Sequence, residues 1–169
     1  MKNNRKISIK NQLLETKKPI KASALAEQFN VSRQTIVGDI ALLRAQGEQI
    51  ISTSRGYEYE KNHQFEEIVV CRHFPDQAEQ EMDLIVAAGV TIKDVVIDHP
   101  IYGQLSGQMR VQSSADVKQF IQHIRERKGH LLSELTDGIH SHTLSADSLE
   151  DLKKAKEQLK KAGILYKEV

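Results

Sequence analysis

Between Ala24 and Leu43 the sequence ALAEQFNVSRQTIVGDIALL carries two helical periodicities separated by a very short turn. Leu25, Ala26 and Phe29 share a face of the first, and Ile36, Ile40 and Leu43 share a face of the second, so the two must cross and bury those faces together. Ala26 is small where the helices cross, and Val31 fills the turn. Ser23 and Ser32 stand where N-caps belong, and Gly47 lies just past the second helix. This pattern constrains the segment to a helix-turn-helix, the motif that sets the N-terminal end of its second helix in the major groove of DNA. Ser32, Arg33, Gln34 and Thr35 occupy that end, and Arg pairs bidentately with guanine and Gln with adenine. A plain helical bundle with a polar face is the alternative, and the small crossing residue and the cap weigh against it.

The flanks fit the same reading. Arg5 to Thr16 has Ile7, Ile9, Leu13 and Leu14 at mostly helical spacing, followed by a break at Pro19. IISTSRGYEYE reads as two short strands turning at Arg55 and Gly56, a wing whose Arg55 completes the candidate DNA-contacting set. Charge is polarised along the chain: residues 1–60 hold ten Lys/Arg against six Asp/Glu, the remainder fourteen against seventeen. A basic N-terminal module on a slightly acidic remainder suits phosphate contact by the first module. Gly38 is out of place, because glycine inside a helix costs about 1 kcal/mol relative to alanine.

The pattern changes at residues 60–66, which predicts a reader over 1–62 and a second domain over 63–169. In the second, Ile68 to His73 reads as a strand, Pro75 to Ala88 as a helix closing at Gly89, and TIKDVVIDHP as a strand. IYGQLSGQMRVQ is a further strand and Ala115 to Arg127 an amphipathic helix. LLSELTDGIHSHTLS suggests a hairpin turning at Thr136, Asp137 and Gly138. Asp147 to Ala162 reads as a last helix and ILYKEV as a last strand. The fold class is α+β, with helices on one face of a mostly antiparallel sheet. With 39% hydrophobic and 28% charged residues the chain has the balance of a folded globular protein rather than a disordered one. No apolar run reaches the roughly 18 residues of a membrane span, and the basic N-terminus lacks the apolar stretch of a signal peptide, so a cytoplasmic location without membrane contact is expected. A single cysteine, Cys71, excludes an intrachain disulfide. It reads as a packed strand thiol, or as a metal ligand in company with His or carboxylate.

Seven histidines is a generous number for 169 residues. In a strand, residues two apart point the same way, so His140 and His142 can reach one ion. His73 ends a strand and Glu81 lies on the following helix, offering a third nitrogen and a carboxylate oxygen. Imidazole and carboxylate together suit a divalent transition metal such as nickel or zinc. Taken singly, each histidine is more often a surface or satisfied core residue.

The N-terminal motif followed by CRHFPDQAEQE, DHPIYGQL and GIHSHTLSA resembles the niacin-responsive repressors of Gram-positive bacteria and their relatives, over essentially the whole chain. The resemblance implies a three-histidine sensor domain similar to the histidine phosphocarrier fold, with metal held by His73, Glu81, His140 and His142. It implies nicotinic acid as corepressor, silencing genes for niacin uptake and NAD synthesis when niacin is plentiful. Two positions depart from the family pattern: Gln104 stands in place of an acidic residue, and Gly38 in place of a polar one. His99, inside the HPIYG motif, is a candidate donor to the nicotinate carboxylate, or a cap for the turn before Pro100. Tyr102 is a candidate aromatic wall or hydroxyl for the same ligand. A single winged helix covers few base pairs, so a homodimer on two-fold operator DNA is expected. The competing class is a metal-dependent enzyme fused to a DNA reader, since such a donor set can activate water; no nucleophile or general-base motif accompanies it.

Overall fold

The computed structural model describes residues 2–16 and 18–166, with side chains from residue 4. They divide into two compact units, Met1–Asn62 and His63–Val169. Among them no helix is long and apolar enough to cross a membrane.

The first unit holds α1 (Lys2–Glu15), α2 (Ala22–Gln28), α3 (Arg33–Ala45) and the antiparallel pair β1 (Ile50–Thr53) and β2 (Gly56–Tyr59). Its core is built from Ile9, Leu13, Leu25, Ala26, Ile36, Ile40, Leu43 and Ile50. Ile7 and Leu14 interrupt the α1 periodicity and face solvent. Ser32 caps α3 through its hydroxyl, which accepts the Thr35 N–H at 3.1 Å. Ser23 does not cap α2: the N-cap is Lys21, without a side-chain bond, and Ser23 lies inside the first turn. One link invisible to periodicity ties α1 to α3. Arg5 donates from Nε to Asp39 Oδ2 at 2.6 Å and from Nη2 to Oδ1 at 3.2 Å, a fork that satisfies a carboxylate buried on the inner side of α3.

The second unit runs β3 (Phe65–Arg72), α4 (Ala78–Ala87), β4 (Thr91–His99), β5 (Gly103–Val111), α5 (Ser114–Glu126), β6 (Ile139–Ala146) and α6 (Leu149–Lys161). The four strands form one antiparallel sheet in the order β3-β6-β4-β5. Val69, Cys71, Ile92, Met109, Val111, Leu144 and Ala146 pack with Met82 and Ile85 of α4, Val117 of α5 and Leu152, Ala155 and Leu159 of α6. The helices therefore cover one sheet face, as the patterning requires, and Ile68 and Val70 lie exposed on the other.

Three local expectations are corrected. Pro75 starts a separate 3-10 turn, Pro75–Gln77, before α4, because proline suits a first turn that lacks an N–H. Leu132–Thr136 is also a 3-10 turn rather than the first strand of a hairpin. Asp137 and Gly138, with φ of 53° and 86°, end that turn and feed β6, so the chain turns there without pairing back on itself. ILYKEV is a single bridge rather than a full strand: Leu165 faces Cys71, with the Arg72 N–H on the Ile164 carbonyl and the Tyr166 N–H on the Val70 carbonyl, both at 2.9 Å; residues 167–169 lie outside the described residues.

The Arg5–Asp39 fork yields a test by double-mutant cycle. Arg5→Ala and Asp39→Ala should each lower the thermal midpoint, and the double variant should be less destabilised than the sum of the two. Additive losses in circular-dichroism melts would mean that the pair does not act as a unit.

Candidate functional site

The cluster in the second unit is assembled by four pieces of backbone. β6 sits between β3 and β4, and its alternation turns His140 and His142 toward the helices, opposite Cys71 and Val69 in the β3 register. His73 follows the last residue of β3, and Glu81 projects from the first turn of α4, where a carboxylate is favoured by the helix dipole. His73, Glu81, His140 and His142 are all buried, none more than 4% exposed. The ring centroids of His73 and His140, and of His140 and His142, are 4.8 Å apart.

Each imidazole uses Nδ1–H on a backbone carbonyl: His73 on Phe74 at 2.8 Å, His140 on Gly138 at 2.9 Å and His142 on Asp94 at 2.6 Å. The third acceptor exists because the β4–β6 register shifts between Ile92 and Val96. Over that irregularity the Asp94 carboxylate takes the Thr143 N–H at 2.9 Å, and its carbonyl is left for His142. With Nδ1 committed, all three Nε2 atoms face Glu81: His73 at 2.6 Å from Oε2, His140 at 3.0 Å and His142 at 3.4 Å from Oε1. His142 Nε2 is buried and makes no hydrogen bond.

A neutral ring donating from Nδ1 carries a lone pair on Nε2, and lone pairs repel a carboxylate. A proton or a metal ion between the rings and Glu81 would turn that repulsion into attraction. Protonating all three rings would bury positive charge in excess of one carboxylate. A single metal ion would resolve the conflict with three nitrogen lone pairs and one oxygen, and the carbonyl bonds fix the tautomers that ligation would need. The donor set thus fits a divalent transition metal.

Without an ion the same groups are tied to one another by charge. Burial pushes the Glu81 carboxyl up, but the charge of His142 and the hydrogen bonds of His140 and His73 outweigh it and hold Glu81 well below the usual range. Burial pulls His73 and His142 down, and Glu81 overcomes it in both, raising them.

Cys71 and Gly138 are the parts that sequence reasoning undervalued. Ligand atoms of Cys71, Glu81 and His140 lie within 4.8 Å of one another. Burial and then the charge of Glu81 push the thiol up, so it sits beside the carboxylate as a protonated neighbour. Its strand alternation with His73, two residues on, was the available signal. Gly138 accepts from both His140 Nδ1–H and the His73 N–H, and a Cβ there would stand 2.5 Å from the His73 carbonyl oxygen.

Beside the cluster opens a cavity of about 180 Å³, walled by Met82, Val95, Met109, Phe120, Ile124 and Leu132, with His73, Glu81, His140 and His142 at its polar side. His99 and Tyr102 are not brought here. His99 Nδ1 accepts the N–H groups of Ile101 and Tyr102 at 3.2 and 3.3 Å, capping the turn between β4 and β5. The two rings pack on each other at 5.1 Å, and Tyr102 is 73% exposed.

In the first unit, Arg33 and Gln34 stand exposed at the start of α3. Ser32 and Thr35 are engaged with each other, their hydroxyls 2.9 Å apart, and so stiffen that end. Arg55 lies in the β1–β2 turn, its N–H bound to Thr53 Oγ1 at 3.1 Å.

Two measurements follow. Gly138→Ala meets both positive φ and the His73 carbonyl, so it should destabilise by more than the roughly 1–2 kcal/mol of a left-handed alanine; a denaturant midpoint equal to the parent would remove Gly138 from the cluster's scaffold. In the presence of chelator, the raised histidines add stability that is complete below pH 6.5 and lost as pH rises through their folded values. Depressed Glu81 adds stability present above pH 4.5 and lost as pH falls. Urea unfolding should therefore show greater stability at pH 5.5 than at pH 8; the reverse order would contradict the charge assignment.

Comparison with known proteins is consistent across both units. Residues 66–168 match the 3H domain and residues 5–58 match an HTH domain. The chain is 43% identical to a transcription repressor, NadR, of Bacillus subtilis, covering 98% of this chain and 94% of that protein. It is 36% identical to a probable transcription repressor, NiaR, of Thermotoga maritima, covering 95% and 93%. Relatives named as repressors, with a DNA-binding domain joined to a 3H domain, leave the enzyme reading without support. The chain belongs to the NadR/NiaR family of transcription repressors.

Proposed function

We propose that this repressor controls genes for niacin uptake and NAD synthesis, with nicotinic acid as corepressor and a divalent transition metal, nickel or zinc, in its 3H domain. The observation that carries the reading is the convergence of three tautomer-fixed Nε2 atoms on Glu81 at the side of an otherwise apolar cavity. His73, Glu81, His140 and His142 would hold the ion, which when bound supplies a Lewis-acidic centre for the polar group of a small acid. Met82, Val95, Met109 and Phe120 offer apolar walls for a ring. At about 180 Å³ the cavity is below the roughly 300–1,000 Å³ of sites for drug-sized ligands, which favours a single-ring acid over a dinucleotide. The ligand is assigned to this cavity, where the four donors converge, rather than to His99 and Tyr102, which do not line it.

At the other end, Arg33 and Gln34 read bases, Arg55 of the wing contacts the backbone, and Ser32 and Thr35 orient the start of α3 toward phosphate. The working unit is a homodimer, since two readers spaced about one helical turn apart match a two-fold operator. Metal and nicotinic acid raise operator affinity, and the coupling is reciprocal.

Elemental analysis should find about one transition metal ion per chain, lost from the His140→Ala/His142→Ala variant; stoichiometric metal in that variant would remove the proposed ligand set. Arg33→Ala should weaken operator binding by roughly 1–3 kcal/mol with the fold intact. Nicotinic acid should tighten operator binding, and operator should tighten nicotinic acid binding, by one common factor above one. A factor of one in both titrations would end the corepressor reading while leaving the DNA reader in place.

A further inference from the structure

The chain has nine glycines, and six have a reason in their backbone conformation. Gly47, Gly56, Gly89, Gly103, Gly138 and Gly163 adopt positive φ, which side chains avoid. Gly107 and Gly129 lie with ordinary φ, and a Cβ there would meet packed neighbours at an ordinary contact distance of 3.5 Å. Gly38 has neither feature: its backbone is ordinary α-helix, and nothing lies within 4 Å of the place a Cβ would occupy. It stands exposed in the middle of α3, one turn after Gln34, on the side turned away from the buried Ile36, Asp39, Ile40 and Leu43. The helix bears the entropic cost of glycine with no return from any intramolecular contact.

Since DNA is the partner of this helix, we infer that Gly38 is the close-approach point of the recognition helix, a specificity-determining position at which the missing side chain lets α3 seat deep enough for Arg33 and Gln34 to reach base edges. The inference rests on α3 being the helix that enters the groove. In this protein's own seating on DNA, a side chain added at position 38 would hold the helix axis away from the base pairs by the thickness of that group, so its seating differs from that of relatives with a polar residue there. Base-edge hydrogen bonds fail over an ångström or so, whereas contacts to phosphate through long, flexible cations tolerate such a shift. The loss should therefore fall on specific binding rather than on binding in general. It should also come with a stabilised helix, because alanine and leucine are both better helix formers than glycine. Stability and affinity are expected to move in opposite directions, which an effect transmitted through the fold would not produce.

The test uses the full chain, with nickel and nicotinic acid in the buffer throughout, and two duplexes: one selected by the parent protein from a randomised pool, and one of scrambled sequence. Gly38→Ala, Gly38→Leu and, as reference, Arg33→Ala are compared by fluorescence anisotropy and thermal melts. Gly38→Ala should melt no lower than the parent and lose at least tenfold in affinity for the selected duplex, Gly38→Leu should lose more, and affinity for the scrambled duplex should change less than twofold. If Arg33→Ala weakens selected binding while both Gly38 variants bind within twofold of the parent, the close-approach role is wrong and the recognition helix stands. Equal losses on both duplexes would also overturn it, because that pattern marks a general rather than a base-reading defect. If Arg33→Ala binds like the parent as well, the placement of α3 in the groove fails together with the inference.

Discussion

The Glu81 carboxylate is the point on which the second unit is organised. Buried at 3% exposure, it would be among the costliest groups in the chain if left alone. Three imidazoles answer it, and each is held by a backbone carbonyl from a different place: the end of β3, the turn before β6, and the irregular stretch of β4. The sheet register, the left-handed Gly138 and the bulge opposite Thr143 thus serve one electrostatic demand. The apolar cavity opens against the same group, so a buried polar cluster and an apolar space adjoin.

The first unit meets a different constraint. A DNA reader must keep polar groups exposed and rigid while having only a small core to hold them. Ser32 and Thr35 stiffen the start of α3 by bonding to each other, and the Arg5–Asp39 fork fixes its inner side to α1. Arg33 and Gln34 can then point outward from a helix whose position is set by its neighbours. Rigidity in this unit comes from polar links as much as from burial.

Much of this was legible in the sequence because it rests on period and alternation. The crossing helices, the wing, the shared face of His140 and His142, and the helix-covered sheet all follow from spacing alone. What spacing could not reveal depends on tertiary register. LLSELT has the apolar content of a strand, yet it tightens into a 3-10 turn because Asp137 and Gly138 lead straight into β6 with no partner strand beside it. Asp94 looks like a surface carboxylate until the register shift gives its carbonyl to His142. His99 carries a motif, and its Nδ1 caps the N–H groups of the turn that follows, a local role that spacing alone left as one of two alternatives. Arg5 and Asp39, 34 residues apart, could be paired only once α1 and α3 were laid together.

Cys71 has a consequence of another kind. It is the single thiol of the chain, fully enclosed between β6 and the helices, and held in the protonated form by burial and by its acidic neighbour. Alkylating and disulfide-exchange reagents attack the thiolate, so they can reach it only when β3 parts from its surroundings. The protein therefore carries a built-in label for the opening of its 3H-domain core. The rate at which Cys71 is modified under native conditions counts excursions of that core alone, with no contribution from the DNA-reading unit, which has no sulfhydryl to report.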